Sequence, residues 1–92
     1  MGNRIEMGEI ESAVNSIPDV TNAVCIYDEE EHKIVLYYTT STGKELDIIN
    51  FVKNKIPKYM FPNIVYLLKQ IPYNMNGKID RIALKNLYIE SK

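Results

Sequence analysis

At 92 residues the chain has the length of one domain, and its 46% hydrophobic and 25% charged residues are ordinary for a globular fold. A net charge of −1 and a pI near 5.8 offer no basic field for a phosphate backbone, which sets nucleic-acid partners aside. One cysteine and one histidine exclude an internal disulfide and a metal site assembled from soft ligands.

In chain order, residues 7–17 read as a helix, because Ile10, Ala13, Val14 and Ile17 recur at i, i+3, i+4 and i+7. Glu9 and Glu11 suit the positive end of its dipole, and Pro18 stops it. Residues 23–27 and 34–40 are rich in β-branched and aromatic side chains, so they predict two strands of a hairpin joined by the acidic stretch 28–32, a solvated loop. Cys25, inside the first of these runs, reads as a buried structural thiol. Thr42 and Glu45 form a potential capping box for a second helix carrying Leu46, Ile49, Val52 and Ile56, widened by Ile48 and Phe51 and ended by Pro57. Residues 64–68, nearly all apolar, predict a third strand buried on both faces. Asp80 is placed to cap a last helix carrying Ala83, Leu84, Leu87 and Tyr88. The order α-β-β-α-β-α predicts an α+β domain, a small three-stranded sheet with packed helices. The irregular stretches 57–63 and 71–79 are long for so small a domain, and such loops often carry function.

The longest apolar run, residues 34–38, is far too short to span a bilayer. After Met1 the chain passes straight into Gly-Asn-Arg without a signal peptide, so a cytoplasmic monomer away from membranes is expected.

Candidate chemistry is sparse. A P-loop needs glycine five residues before the Gly-Lys pair and Ser or Thr after it. Gly43-Lys44 has Tyr38 and Glu45 at those places, Gly77-Lys78 has Pro72 and Ile79, and both fail. A Cys-His or Ser-His arrangement would have to recruit His32 from the acidic hairpin, away from the inward-facing Cys25. Asn76-Gly77-Lys78 reads on its own as a tight turn with positive φ at both central positions. Arg4 and Glu6 read as helix-entry charges, and residues 59–62 (Tyr-Met-Phe-Pro) as loop packing.

Taken together, these segments fall into one pattern. GNRIEMGEIESAV at residues 2–14 resembles the GYRIELGEIE motif of the adenylate-forming enzymes. IPKYMFP at 56–62 resembles their LPxYMIP motif, and IPYNMNGKIDRIAL at 71–84 resembles their LPxTxNGKxDRxAL motif. Order and spacing agree over essentially the whole chain. Asn3 departs from the pattern, standing where the family has an aromatic residue.

The resemblance implies that residues 1–92 form a single C-terminal lid subdomain, with the large N-terminal subdomain and hinge absent. The family joins a carboxylic acid to ATP, with Mg²⁺, giving an acyl adenylate and pyrophosphate, and then passes the acyl group to a thiol. ATP and Mg²⁺ are thus expected in the intact enzyme and not bound to this fragment, which by itself should be inactive. The lid rotates between two poses, one for each half-reaction. By resemblance Lys78 is the catalytic lysine of the first pose, supported by Asn76, Gly77 and Asp80. Gly2, Arg4 and Glu6 belong to the loop that faces the site during thiol transfer. The Asn-Gly-Lys-Ile-Asp-Arg form is similar to peptide-synthetase adenylation domains and D-alanine–carrier-protein ligases. It implies an amino acid as substrate and a phosphopantetheinylated carrier protein as partner, beside the large subdomain. The alternatives are an acyl-CoA synthetase lid, a stand-alone module that docks a carrier protein or a separate large polypeptide, and an unrelated small α+β domain.

Overall fold

The hairpin forms as its composition predicts. In a computed structural model describing residues 5–92, β1 (Val20–Asp28) pairs antiparallel with β2 (Lys33–Thr40), with Cys25 opposite Leu36 and Asp28 opposite Lys33. Asp28 shapes the tight connection, where its Oδ1 accepts the backbone N–H groups of Glu30 (3.0 Å) and Glu31 (3.1 Å). β3 (Ile64–Leu67) adds parallel to β2, so the sheet order is β1-β2-β3. β2 is therefore the central strand, and residues 34–39 along it are all buried.

Strand alternation sends side chains to opposite sides of the sheet. Ala23, Cys25, Leu36 and Tyr38 join Ile10, Val14 and Ile17 of the first helical segment in one core, completed by Ile48, Val52, Ile56 and Met60. Val24, Ile26, Val35 and Tyr37 pack with Ile71, Leu84 and Tyr88 in a second core on the other face. The helices divide accordingly: α1 (Met7–Asn15) and α2 (Ile48–Val52) cover one face, and α3 (Arg81–Ser91) covers the other. Tyr37 spans into the second core, donating its hydroxyl to the Leu84 carbonyl (3.2 Å) and stacking on Tyr66 at 5.3 Å between ring centroids.

Three expectations need correction. The second helix does not start at a Thr42–Glu45 capping box. Gly43 takes the left-handed φ of +74°, and the Leu46 N–H and carbonyl are both tied to the Tyr38 hydroxyl, which holds this stretch out of the helix. Asp47 caps instead, accepting the Asn50 N–H (3.2 Å), and only five residues are helical. Phe51 then lies away from the core and is 47% exposed. Likewise, β3 is not buried on both faces. As an edge strand it is flanked by β2 on one side alone, and all four of its residues are half-buried. Glu11 does not serve the α1 dipole. It turns to β1 and accepts the Cys25 N–H at 2.8 Å.

Candidate functional site

Between the second core and α3 the chain makes a short hairpin that carries most of the expected site residues. Its base is an antiparallel bridge between Tyr73 and Ile79, backed by a hydrogen bond from the Asp80 N–H to the Pro72 carbonyl (2.9 Å). The Tyr73 hydroxyl accepts from the Asn22 side-chain amide (2.8 Å), fastening the base to β1. Asp80 caps α3 as expected, its Oδ1 taking the Ala83 N–H at 3.0 Å. The helix and the hairpin therefore share one joint, at Asp80.

Inside the hairpin, the Gly77 N–H donates to the Asn74 carbonyl (3.0 Å) and the Asn74 N–H donates to the Lys78 carbonyl (2.8 Å). Asn74 Oδ1 accepts from the N–H groups of Asn76 (2.9 Å) and Lys78 (3.1 Å). The turn differs from the expected one. Gly77 alone within it has positive φ (+79°), while Asn76 does not. A three-residue loop ending in a left-handed glycine is a common hairpin form. A Cβ added at Gly77 would meet nothing within 4 Å, so glycine is needed there for conformation and not for space.

Lys78 leaves this frame at an exposed position, and among the described residues its ammonium makes no hydrogen bond or ion pair. Two large side chains of the same hairpin are also exposed, Met75 (fully) and Tyr73 (56%). Asn76, Gly77, Lys78 and Asp80 are thus brought together in one loop. Glu6 is elsewhere, at the entrance of α1, where its carbonyl accepts from Glu9 N–H (3.1 Å). Gly2 and Arg4, also expected in a functional loop, lie outside the described residues.

Residues 60–62 follow the packing reading, with Met60 and Pro62 buried and Phe61 half-buried beside a 3₁₀ turn at Lys58–Met60, whereas Tyr59 departs from it and is exposed. Cys25 is buried, and burial above all pushes its thiol up to about 12, with the Glu11 carboxylate adding to the rise. His32 contacts the Tyr27 hydroxyl (3.3 Å), not Cys25, so no cysteine–histidine pair forms between them. Among the described residues no group of three or more His, Cys, Asp or Glu is gathered to hold a metal ion. No helix among them is long and apolar enough to cross a membrane.

Three residues of this region escape the sequence reading. Asn74 carries no expected role, though an asparagine two residues before a turn position is a known local acceptor and leaves a usable signal. Glu11 and Arg81 are not linked by any motif. They meet at 3.5 Å across 70 positions, and the Arg81 Nη1 donates to the Cys25 carbonyl at 2.9 Å. Such distant pairing leaves no local signal.

The family described as AMP-binding enzyme C-terminal domain matches residues 9–78. The chain is 38% identical over 87 residues to Gramicidin S synthase 2 of Brevibacillus brevis, a match that covers 90% of this chain and 2% of that protein. It is 36% identical over 93 aligned positions to N-(5-amino-5-carboxypentanoyl)-L-cysteinyl-D-valine synthase of Penicillium chrysogenum, covering 90% of this chain and 2% of that protein. Klebsiella oxytoca NpsA in complex with 3-hydroxyanthranilyl-AMSN has the same fold over 96% of this chain and 18% of that one, with a TM-score of 0.85 and 28% identity. The chain therefore spans a small fraction of each of these relatives.

Proposed function

The chain belongs to the AMP-binding enzyme C-terminal domain family, and we propose that it is the lid of a larger ligase that activates an amino acid with ATP and loads it onto a carrier-protein thiol. In this reading residues 1–92 are one subdomain, and a large N-terminal subdomain supplies the nucleotide and acid pockets. The observation that carries it is Lys78: an ammonium without a partner among the described residues, held out on a hairpin that fixes both the N–H and the carbonyl of Lys78. The likeness to Gramicidin S synthase 2 and to a cysteinyl-valine peptide synthase supports a carrier-bound thiol over free coenzyme A as acceptor.

In the first half-reaction a carboxylate oxygen of the acid attacks the α-phosphorus of ATP, the bond to the β-phosphate bridge breaks, and pyrophosphate leaves. Phosphoryl transfer asks the protein chiefly for positioning and positive charge. Lys78 offers a compact, strongly charged ammonium on a flexible stem for the oxygens where that charge shifts. At ~4 Å and an effective dielectric of ~20 one such pair is worth about 4 kcal/mol. Gly77 and Asn76 shape the turn behind it, and Asp80 fixes the turn to α3. In the second half-reaction a thiolate attacks the acyl carbonyl and AMP leaves. Gly2, Arg4 and Glu6 then face the reacting atoms, and the lid excludes water from the adenylate.

The test is to measure the two half-reactions separately in the intact enzyme. Lys78→Ala should slow adenylate formation by ~10²–10³-fold and largely spare transfer from a supplied adenylate. An unchanged rate of adenylate formation would overturn the proposal.

A further inference from the structure

Lys78 has no side-chain partner among the described residues, so its backbone alone sets where its reach begins. Both polar groups of that backbone go to a single residue. The Lys78 N–H donates to Asn74 Oδ1 (3.1 Å), and the Lys78 carbonyl accepts from the Asn74 N–H (2.8 Å). Asn74 also takes the Asn76 N–H on its side chain (2.9 Å) and the Gly77 N–H on its carbonyl (3.0 Å). These four hydrogen bonds within residues 74–78 thus all end on Asn74. Its neighbour Tyr73 is bridged to Ile79 and bonded to Asn22 of β1, so Asn74 sits where the rigid base meets the exposed tip.

We infer that Asn74 is a positioning residue for Lys78, which rests on the reading of Lys78 as the catalytic lysine. The amide oxygen of Asn74 locks the lysine's Cα over the hairpin, and so limits the volume through which the ammonium searches. The chemistry depends on that limit, because a misplacement of ~1 Å at a reacting group can cost ~10²-fold. The fold does not depend on it. Residues 74–78 are exposed, and water satisfies the two N–H groups when the acceptor is removed. Asparagine fits the task because its carbonyl reaches N–H groups two and four positions on. Threonine, which the family pattern carries at the matching position, offers a hydroxyl acceptor for the nearer one.

The experiment uses the intact enzyme with Asn74→Ala, Lys78→Ala and the double variant, read by single-turnover adenylate formation and by thiol transfer. Asn74→Ala should lower the adenylation kcat by roughly tenfold, the worth of about 1.4 kcal/mol in the transition state. It should leave KM for acid and ATP, the melting temperature and thiol transfer nearly unaltered, and Asn74→Thr should recover much of the loss. The double variant should be no slower than Lys78→Ala, since a residue that acts only through Lys78 has nothing left to act on. Amide exchange at Lys78 should quicken in Asn74→Ala while exchange in β1 holds. If Lys78→Ala leaves adenylation intact, the reading of Lys78 falls and this inference with it. If Lys78→Ala is slow and Asn74→Ala is as fast as the parent, the inference alone fails. Multiplying losses in the double variant would also overturn it, by giving Asn74 a target other than Lys78.

Discussion

Glu11 and Arg81 grip the same residue of β1 by its two outward backbone atoms: the carboxylate takes the Cys25 N–H at 2.8 Å and the guanidinium gives to the Cys25 carbonyl at 2.9 Å. β1 is an edge strand, and these groups face away from β2. The two side chains satisfy what another strand would have satisfied. They also tie α1 to the first turn of α3, the helix that Asp80 joins to the Lys78 hairpin.

Removing the carboxylate should therefore cost stability through the orphaned amide more than through the ion pair. The pair is long, at 3.5 Å, and Arg81 is half exposed, so its own contribution is small. Glu11→Ala should lower unfolding free energy by about 1–2 kcal/mol, measured by urea denaturation at unchanged m-value. Glu11→Gln, which keeps an acceptor, should lose clearly less. Equal losses for the two variants would mean that charge, not the hydrogen bond, does the holding.

Cys25 should be chemically silent in the folded chain. With its thiol pushed up to about 12 by burial and by Glu11, the thiolate is only about one part in 10⁴ at pH ~8. Alkylation by iodoacetamide should then follow the rate or extent of unfolding. Rapid labelling under native conditions would contradict both the burial and the shift.

Acid should weaken the hairpin end through Asp28. Its carboxyl is held down to about 2 from an ordinary 3.8, first by the Tyr88 hydroxyl, then by the Glu31 N–H, then by Lys92. The same bond pushes the Tyr88 phenol up to about 12. A depressed carboxyl stabilises the fold fully above about pH 3.8, and that share is lost as pH falls through about 2. Asp28→Asn should melt earlier than the parent near neutrality, and the gap should close as pH approaches about 2. A gap that stays constant over that window would show that Asp28 acts by shape alone.

The two-pose reading makes a paired prediction in the intact enzyme. Lys78→Arg should also be slow in adenylation, because a planar fork does not replace a compact ammonium. A bulky residue at Gly2 should instead harm thiol transfer more than adenylation. Equal loss in both half-reactions at Gly2 would remove its pose-specific role.

What could be read in advance was local. Asp80 as a cap and the apolar stripe through Ile10, Val14 and Ile17 depend on residues within one or two turns of each other, and both are seen, whereas the first two helices end at Asn15 and Val52, before they reach the expected stops at Pro18 and Pro57. The Asn76-Gly77-Lys78 turn was legible as a turn, though not in its form, since Gly77 alone takes the left-handed conformation. The failures are contacts made from a distance. Tyr38 unwinds the start of the second helix by binding Leu46, and Glu11 leaves its own helix for Cys25. Neither choice has a trace in periodicity, because a partner across the sheet decides it.

The mixed pairing of the sheet also divides the order in which it can assemble. β1 and β2 are joined by a tight turn and zip up locally, whereas β3 runs parallel to β2 and must wait for the whole connection through α2 and the 3₁₀ turn to close. β3 and its packing against both cores are thereby expected to form late. Trimming Tyr66, stacked on Tyr37, should quicken unfolding and leave the refolding rate nearly alone. The Lys78 hairpin is fastened to β1 through Asn22 and Tyr73, so it is expected to settle only once β1 is in place.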